Sequence, residues 1–591
     1  MKSRLNYLYF LAFLLAAALR FIGLGAIPLT DGEATWTLQA LSVAQGSKPL
    51  IGGQPGYILL TSIPFFLSES TNFLARFWPA LFGSLIVFTP YFLYKRPLSP
   101  LSPKGGEEWM GGRTAIILAF LLAAAPGLVA VSRHANGTML ALTCIIFAWI
   151  ACQKNELKWS GIFAGIALLG GPAVWMGSLG LGLAWALAQN LLPAKDGEES
   201  EASPSDERNR KDDLKVAALY TGGTILLVGT LFLLSPNGLS AWFSSLIDYL
   251  RGWRYSSGVP ILRMLGGLIT YYPFALLFGI AGIWRGLTER DSVSIALSLW
   301  AATALILAII YPARQVSDLI WAALPLWVLS AKEINHHLRL PVYDRNETIG
   351  VFALTIILLS FAWVNLAGAG ILPGNTEITS NRLILLGGSV ALLILSLALI
   401  AFGWSLETAT LGGTWGTALM LGLYTLGVAW GSTGLRTPKG VELWDSAARV
   451  PQAGLLLETI EQISTWSRGD AQSLKITVNG VNSPALLWVL RNQSVEEKSA
   501  LDFMTSPELV ITSEVGNPEL ASSYRGQDFV WRKNTDWTSA TNWPKWLVLR
   551  ELPQISERII FWARNDLFFD SQNQGAEAGI QDSFEDSDQQ E

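Results

Sequence analysis

The sequence is poor in charge and in cysteine. Of its 591 residues only 15% are charged, against about 25% in an ordinary soluble domain. The two cysteines, Cys144 and Cys152, are too few for a disulfide framework or a thiolate metal site. The net charge of −5 provides no basic surface for a nucleic acid. No nucleic-acid partner is therefore expected.

Hydrophobic residues, by contrast, make up 51% of the chain, and the mean hydropathy is +0.37. They occur in blocks of about twenty, which is long enough to cross a hydrocarbon core of about 30 Å as helices. The predicted fold is an α-helical polytopic membrane protein with about thirteen transmembrane helices. The predicted spans are 5–24, 73–94, 114–131, 137–152, 158–174, 176–192, 216–234, 263–284, 292–311, 319–331, 348–367, 383–403 and 412–431.

One apolar block, Tyr57–Leu67, is too short to span and contains Pro64, so we predict a re-entrant or interfacial helix there. With a cytoplasmic N-terminus, the inside segments carry eighteen Lys and Arg residues and the outside loops carry seven. This asymmetry follows the positive-inside rule. It predicts an integral protein of the cell membrane whose residues 432–591 are extracytoplasmic.

The predicted organisation is a transmembrane domain over 1–431, an extracytoplasmic domain over 432–565 and an acidic disordered tail over 566–591. Within the first domain, 25–72 is the first external loop and the acidic segment 193–215 is a flexible cytoplasmic loop. The second domain alternates helix and strand signals, which predicts a small α/β or α+β fold. Its predicted helices are 447–466 and 484–491, and its predicted strands are 474–478, 509–512, 529–532 and 546–550. Its tryptophans are assigned to core packing or membrane contact in preference to sugar stacking.

Polar residues of the membrane part gather in predicted outside loops, on one membrane face. The groups are Asp31 with Glu33, Arg133 with His134, Arg251 to Tyr255, and Arg314 with Asp318. Carboxylates can act as bases or metal ligands, and arginine binds phosphate through paired hydrogen bonds. The groups therefore suggest a site for an anionic, membrane-held substrate. The alternative is that they are ordinary interfacial residues.

Five segments resemble the GT-C glycosyltransferases, most of all the protein O-mannosyltransferases and aminoarabinose transferases. The run Ile27–Ala40 resembles their first external loop, with Asp31 and Glu33 as its acidic pair. Further matches are Gln54-Pro-Gly-Tyr57 at a juxtamembrane helix, Arg76 with Gly83 in the second transmembrane helix, Ser132–Gly137 in the second external loop, and Arg314 with Leu324-Pro325-Leu326. The resemblance covers about residues 5–335.

The resemblance implies an inverting transfer of a sugar from a polyprenyl-phosphate donor to a lipid, glycan or protein acceptor at the extracytoplasmic face. Asp31, or failing it Glu33, would be the general base, and the same pair would hold a divalent ion such as Mg, Mn or Zn. The candidates for donor-phosphate binding are Arg133, Arg254 and Arg314. The supporting positions are His134, Asn136, Gln54, Arg76, Tyr57 and Asp318.

The sequence also departs from the family pattern. Gly32 occupies the usual catalytic Asp position if Glu33 aligns with the family Glu, Asn136 or Gly137 stands where a second acid is usual, and Gln54 replaces a His. Two alternatives therefore stay open. One is a lipid or glycan transporter or flippase-associated membrane protein, and the other is a catalytically degenerate relative that binds glycan.

Overall fold

The computed structural model describes residues 2–94, 111–191, 204–340, 344–371, 376–436, 440–444, 448–502, 504–513, 520–535 and 543–568. The chain forms two compact units. The first comprises Met1–Ile27, Gln39–Ser446 and Thr538–Leu552. The second comprises Pro28–Leu38, Ala447–Trp537 and Pro553–Glu591.

Helices dominate the described part of the chain before residue 433, and each predicted span overlaps at least one helix. The helices are α1 Lys2–Phe21, α2 Asp31–Ala44, α3 Pro55–Leu67, α4 Asn72–Leu85, α5 Thr89–Tyr94, α6 Gly112–Ala124, α7 Pro126–Ser132, α8 Thr138–Gln153, α9 Leu157–Leu168, α10 Pro172–Leu191, α11 Pro204–Gly229, α12 Asn237–Gly252, α13 Ile261–Tyr271, α14 Pro273–Thr288, α15 Ser292–Ile310, α16 Ile320–Arg339, α17 Arg345–Ile371, α18 Thr376–Gly403 and α19 Leu406–Ser432. Within the described residues, four helical spans are long and apolar enough to cross a membrane alone, and six are if each bent pair counts as one span. The number of crossings stays a prediction.

Proline breaks two of the predicted spans. The span 263–284 is interrupted at Tyr272, where α13 and α14 meet at 87°. The span 114–131 is bent by 53° between α6 and α7. In both cases proline is the first residue of the second helix, where its missing N–H group ends the preceding hydrogen-bond ladder.

Three other expectations needed correction. The boundary between the predicted spans 158–174 and 176–192 lies at 169–171, where Gly171 has a φ of +97°. The predicted external loop around Arg251 contains the sixteen-residue helix α12. Part of the predicted flexible loop 193–215 is helical, because α11 begins at Pro204; residues 192–203 lie outside the described residues.

A buried guanidinium stabilises the bend between α6 and α7. Arg20 is fully buried and donates to the carbonyls of Leu122 and Ala123, at 3.3 and 3.0 Å. Pro126 cannot donate to Leu122 in the usual helical manner, so the arginine supplies the missing donor. Arg20 Nε also donates to Ser132 Oγ at 3.2 Å, on the other side of the bend.

The second unit contains a five-stranded mixed sheet. Its elements are α20 Ala453–Arg468, β1 Lys475–Asn479, α21 Pro484–Val489, β2 Ser494–Lys498, β3 Leu509–Ser513, β4 Tyr524–Thr535 and β5 Gln554–Arg564. The strand order is β2-β1-β3-β5-β4, parallel from β2 to β3 and antiparallel from β3 to β4. This confirms the predicted α/β or α+β class. Most of the predicted tail lies outside the described residues, which end at 568.

One predicted strand is wrong and two strands were missed. Residues 546–550 fall mainly on the helix α22 Trp543–Leu549, in the first unit, whereas β2 and β5 had no prediction. Trp488, Trp531 and Trp546 are each 1% exposed, so these indoles are core residues and do not present a sugar-stacking surface.

We expect Arg20→Met to destabilise the first unit by about 2–4 kcal/mol, because two carbonyls at the bend lose their donor in an apolar surrounding. Thermal exposure of the buried Cys144 thiol, followed with a thiol-reactive dye in a Cys152→Ser background, measures this loss. Arg339→Met, at an exposed arginine, is the matched control. Equal melting temperatures for both variants would contradict the role given to Arg20.

Candidate functional site

Arg133 holds the C-terminal end of α1. Its guanidinium donates to four backbone carbonyls at 2.9–3.2 Å, those of Leu19, Arg20, Ile22 and Gly23. The last carbonyls of a helix have no partner within it, and the arginine supplies one. Burial, together with the nearby Arg76 cation, lowers the pKa of Arg133 to about 10, so it stays charged at neutral pH. Its observed contacts are those of a helix cap, and phosphate binding by Arg133 stays a prediction.

Arg76 binds backbone carbonyls of the segment that follows α1, as Arg133 does at the end of α1. It is 5% exposed and donates to the carbonyls of Leu24 and Ile27, at 3.2 and 2.7 Å. Arg76 therefore anchors the segment after α1 to α4.

The remaining supporting residues near Arg133 shape turns. Gln54 Oε1 accepts from the Gly137 N–H at 2.8 Å, and Asn136 Oδ1 accepts from the Thr138 N–H at 3.0 Å, at the start of α8. Tyr57 is buried, and its hydroxyl donates to the Ala75 carbonyl at 2.8 Å. The adjacent His134 is partly buried. The Gln54 contact joins the juxtamembrane motif to the second external loop.

Two loops of the first unit pack together and form what we call the arginine corner, residues 252–259 and 311–318. Backbone hydrogen bonds join Ser257 to Pro312 at 3.1 Å and Ala313 to Gly252 at 3.1 Å. The Ser257 hydroxyl donates to the Arg314 carbonyl at 2.6 Å. The corner therefore brings two of the four predicted polar groups together, although they are about 60 residues apart in the sequence.

The two predicted phosphate-binding arginines of this corner differ in how many hydrogen bonds their side chains make within the protein. Arg314 donates through Nε to the Val259 carbonyl at 2.9 Å and through Nη1 to the Ile309 carbonyl at 3.0 Å, at the end of α15. The side chain of Arg254 is exposed and makes no hydrogen bond or ion pair within the described part of the chain. Its neighbour Arg251 faces Asp248 at 3.6 Å. Arg254 is thus the cation of this corner with its hydrogen-bond donors available.

Aromatic rings line the corner beside Asp318. Tyr249 and Tyr311 stack at 5.2 Å between ring centroids, and Trp253 packs its edge against both. Asp318 Oδ2 accepts from the Gln315 N–H at 2.8 Å. Enclosure by the protein raises the pKa of Asp318 to about 6. Trp253 is among the polar groups predicted from the sequence, but Tyr249 is not. Tyr249 lies on α12, a helix in the segment that was predicted to be a loop.

Asp31 belongs to the second unit, and both of its oxygens are engaged there. Oδ1 accepts from Ser483 Oγ at 2.6 Å and from the Ala485 N–H at 3.0 Å, at the N-terminus of α21. Oδ2 accepts from Arg532 Nε at 2.7 Å. All three contacts use the carboxylate oxygens as acceptors, and they hold the side chain against α21 and β4. These contacts do not favour Asp31 as a general base.

The Glu33 side chain also has a structural role, in hydrogen bonds at the start of α2. Its Oε2 accepts from the Thr30 N–H at 3.0 Å and from the Thr30 hydroxyl at 3.2 Å, and the Glu33 N–H donates back to that hydroxyl at 3.4 Å. This reciprocal pair is a capping box at the start of α2. The spacing Thr-x-x-Glu was visible in the sequence and could have predicted it.

The surroundings of this acidic pair do not fit a divalent metal ion. An ion at Asp31 would have to replace the Arg532 guanidinium and two further donors. Among the described residues, no group of three or more His, Cys, Asp or Glu side chains could supply the remaining ligands. We therefore assign no step to a metal.

We expect Asp31→Ala to increase the rate of hydrogen exchange in peptides covering 484–489 about tenfold. The Ala485 amide loses a hydrogen bond to a charged acceptor, which stabilises by about 1.5–3 kcal/mol. Arg532→Gln should have a smaller effect, and the double variant should be less than additive, since both side chains belong to one network. Asp528→Ala is the matched control, because its partner Arg558 forms an exposed pair. Unchanged exchange in Asp31→Ala would contradict the anchoring role.

Comparison with known proteins supports the fold. No protein-family model and no curated protein matches the sequence. Several solved structures resemble the chain, and two of them are structures of one protein. ArnT from Cupriavidus metallidurans bound to undecaprenyl phosphate has a TM-score of 0.56 at 14% identity, covering 94% of this chain and 98% of that one. The same protein in the apo state has a TM-score of 0.52 at 14% identity, covering 85% and 92%.

ArnT is an aminoarabinose transferase of the GT-C superfamily. The predicted resemblance is confirmed at the level of the fold. The similarity extends over nearly the whole chain and therefore includes the helical part and the C-terminal sheet. The chain is an integral membrane protein with an ArnT-like, GT-C-type fold.

Proposed function

We propose that this protein is a membrane glycosyltransferase that moves a sugar from a polyprenyl-phosphate donor to an acceptor at the extracytoplasmic face. The observation that carries the proposal is the fold similarity over 94% of the chain to an ArnT whose structure contains undecaprenyl phosphate. The distribution of Lys and Arg between the predicted loops supports the extracytoplasmic face.

The arginine corner supports the binding of an anionic donor. A polyprenyl-phosphate sugar carries a negative phosphate, which becomes more negative as the sugar leaves. Cations placed beside the leaving oxygen stabilise that developing charge. Arg254, with its available guanidinium, is our leading candidate for this contact, and Arg314 is the second, because two of its nitrogen atoms are already engaged.

The reaction also needs a base for the acceptor hydroxyl. The resemblance implies a first-loop carboxylate, Asp31 or Glu33, and this stays a prediction. Asp31 accepts three hydrogen bonds, and Glu33 closes a capping box. Asp31→Asn and Glu33→Gln, each measured with a fold readout, test the two roles separately.

The same contacts favour a second candidate function. If both first-loop carboxylates serve only the architecture, the protein would be a non-catalytic relative that binds a lipid-linked glycan. The two functions are distinguished by incubating purified protein with a panel of polyprenyl-phosphate sugars in liposomes. Release of the lipid phosphate supports transfer, whereas donor binding with no release supports the non-catalytic function.

We expect Arg254→Ala to weaken binding of undecaprenyl phosphate about tenfold or more, since one charge-assisted hydrogen bond contributes about 1.5–3 kcal/mol. Titration of the lipid into detergent-solubilised protein measures the affinity. Arg251→Ala, which removes an exposed arginine already facing Asp248, is the matched control. Equal affinity in wild type and Arg254→Ala would remove Arg254 from the phosphate site.

A further inference from the structure

Asp318 forms a capping box with Gln315 at the start of the 3-10 helix Val316–Leu319, and it differs from Asp31 in having one carboxylate oxygen without a hydrogen-bond partner among the described residues. Its Oδ2 accepts one backbone hydrogen bond, from Gln315, whereas Oδ1 has no hydrogen-bond partner in the part of the chain that the structure describes. The side chain is partly buried. Asp31, by comparison, has both oxygens engaged. Asp318 is therefore held in place by one oxygen and able to accept a proton at the other.

The surroundings of Asp318 are aromatic and incompletely hydrogen-bonded. Tyr311 begins the loop that contains Asp318, its hydroxyl donates to the Tyr249 carbonyl at 3.0 Å, and the charge of Asp318 contributes to the raised pKa of Tyr249. The phenol oxygen of Tyr249 is buried and has no well-formed hydrogen bond among the described residues. A buried polar atom of this kind requires an explanation, and a polar ligand is one. Trp253 adds a partly exposed ring to the same wall.

The cations of the arginine corner are on the same two loops. Asp318 is four residues after Arg314, and the Arg314 guanidinium donates to Val259 across the corner. Arg254 follows Trp253 directly on the other loop. A carboxylate with one unengaged oxygen, aromatic rings and two arginines are thus combined in one corner of the first unit. A transfer from an anionic donor needs a proton acceptor and cations for the leaving phosphate.

Resting on the proposed glycosyl transfer, we infer that Asp318 is the general base of the reaction. Asp318 Oδ1 takes the proton of the acceptor hydroxyl as the acceptor oxygen forms its bond to C1 of the donor sugar. The bond from C1 to the phosphate oxygen breaks, and its electron pair leaves with the polyprenyl phosphate. Arg254 and Arg314 hold the departing anion. The protonated carboxyl then returns its proton to water.

The acidity of Asp318 supports this role. Burial raises its pKa to about 6, with a smaller opposing effect from the Gln315 N–H. The charged and titratable groups on the elements around it are Tyr249, Tyr311, Arg314 and, on α13, Arg263, which donates to the Leu443 carbonyl. A carboxylate with a pKa near 6 is ionised at neutral pH and is a stronger base than an exposed aspartate.

The test is the pH profile of Asp318→Asn. Radiolabelled undecaprenyl-phosphate mannose and glucose are supplied in liposomes with native membrane lipids as acceptors, and release of undecaprenyl phosphate is followed. In wild type kcat/KM should rise with pH through about 6, because only the ionised carboxylate accepts a proton. Asp318→Asn should lower kcat by about 10²–10⁴ and abolish that rise. Asp318→Glu should restore part of both.

The controls separate a base from a structural residue. Asparagine still offers an oxygen to the Gln315 N–H, so the melting temperature of Asp318→Asn at pH 7.5 should match or exceed that of wild type. Asp248→Asn is the matched carboxylate control, because Asp248 is exposed on α12 and its charge also acts on Tyr311. It should keep the wild-type profile.

Two outcomes would overturn the inference in distinguishable ways. Wild-type kcat and an unchanged pH profile in Asp318→Asn would show that another group is the base, and loss of the acidic limb in Glu33→Gln would identify it. Failure of wild type to release lipid phosphate from any donor would refute the proposed function and, with it, this inference.

Discussion

The helical unit depends on buried guanidinium groups that bind backbone carbonyls where helices end or bend. Arg133 closes the end of α1, Arg76 holds the segment that follows it, and Arg20 serves the bend between α6 and α7. In an apolar surrounding an unpaired carbonyl costs several kcal/mol, and water is not available to satisfy it. An arginine can satisfy several carbonyls at once, because it has five donors in a planar arrangement.

This constraint changes how arginines near a membrane-embedded site are interpreted. Arg133 and Arg314 have the residue type expected of phosphate ligands, yet both cap a helix end through backbone carbonyls. The Arg254 side chain caps no helix end among the described residues, so its guanidinium is available to a ligand of the arginine corner. The acidic residues have similar structural roles, since Asp31, Glu33 and Asp318 each accept hydrogen bonds at the start of a helix. Asp318 in addition keeps one oxygen without a partner among the described residues.

The sequence predicted the parts of the fold that depend on local composition. Apolar blocks located the helices, Pro484 located the start of α21, and turn residues separated most of the strands. It failed where a tertiary contact decides the outcome. The segment around Trp546 has the apolar pattern of a strand, but its indole donates to the Val441 carbonyl within the helical unit and the segment forms α22. The arginine corner could not be predicted either, because the hydrogen bonds between its two loops join residues far apart in the sequence.

The right angle between α13 and α14 has a consequence for the lipid bilayer. Membrane-crossing helices tilt by at most about 40° from the bilayer normal, so two helices at 87° cannot both be upright. If α14 crosses, α13 runs along the membrane surface. Its outward residues Leu262, Leu265 and Ile269 are then immersed at the level where headgroups meet acyl chains. The polypeptide between α12 and α14 would travel sideways through that layer, at the depth where a lipid's phosphate resides.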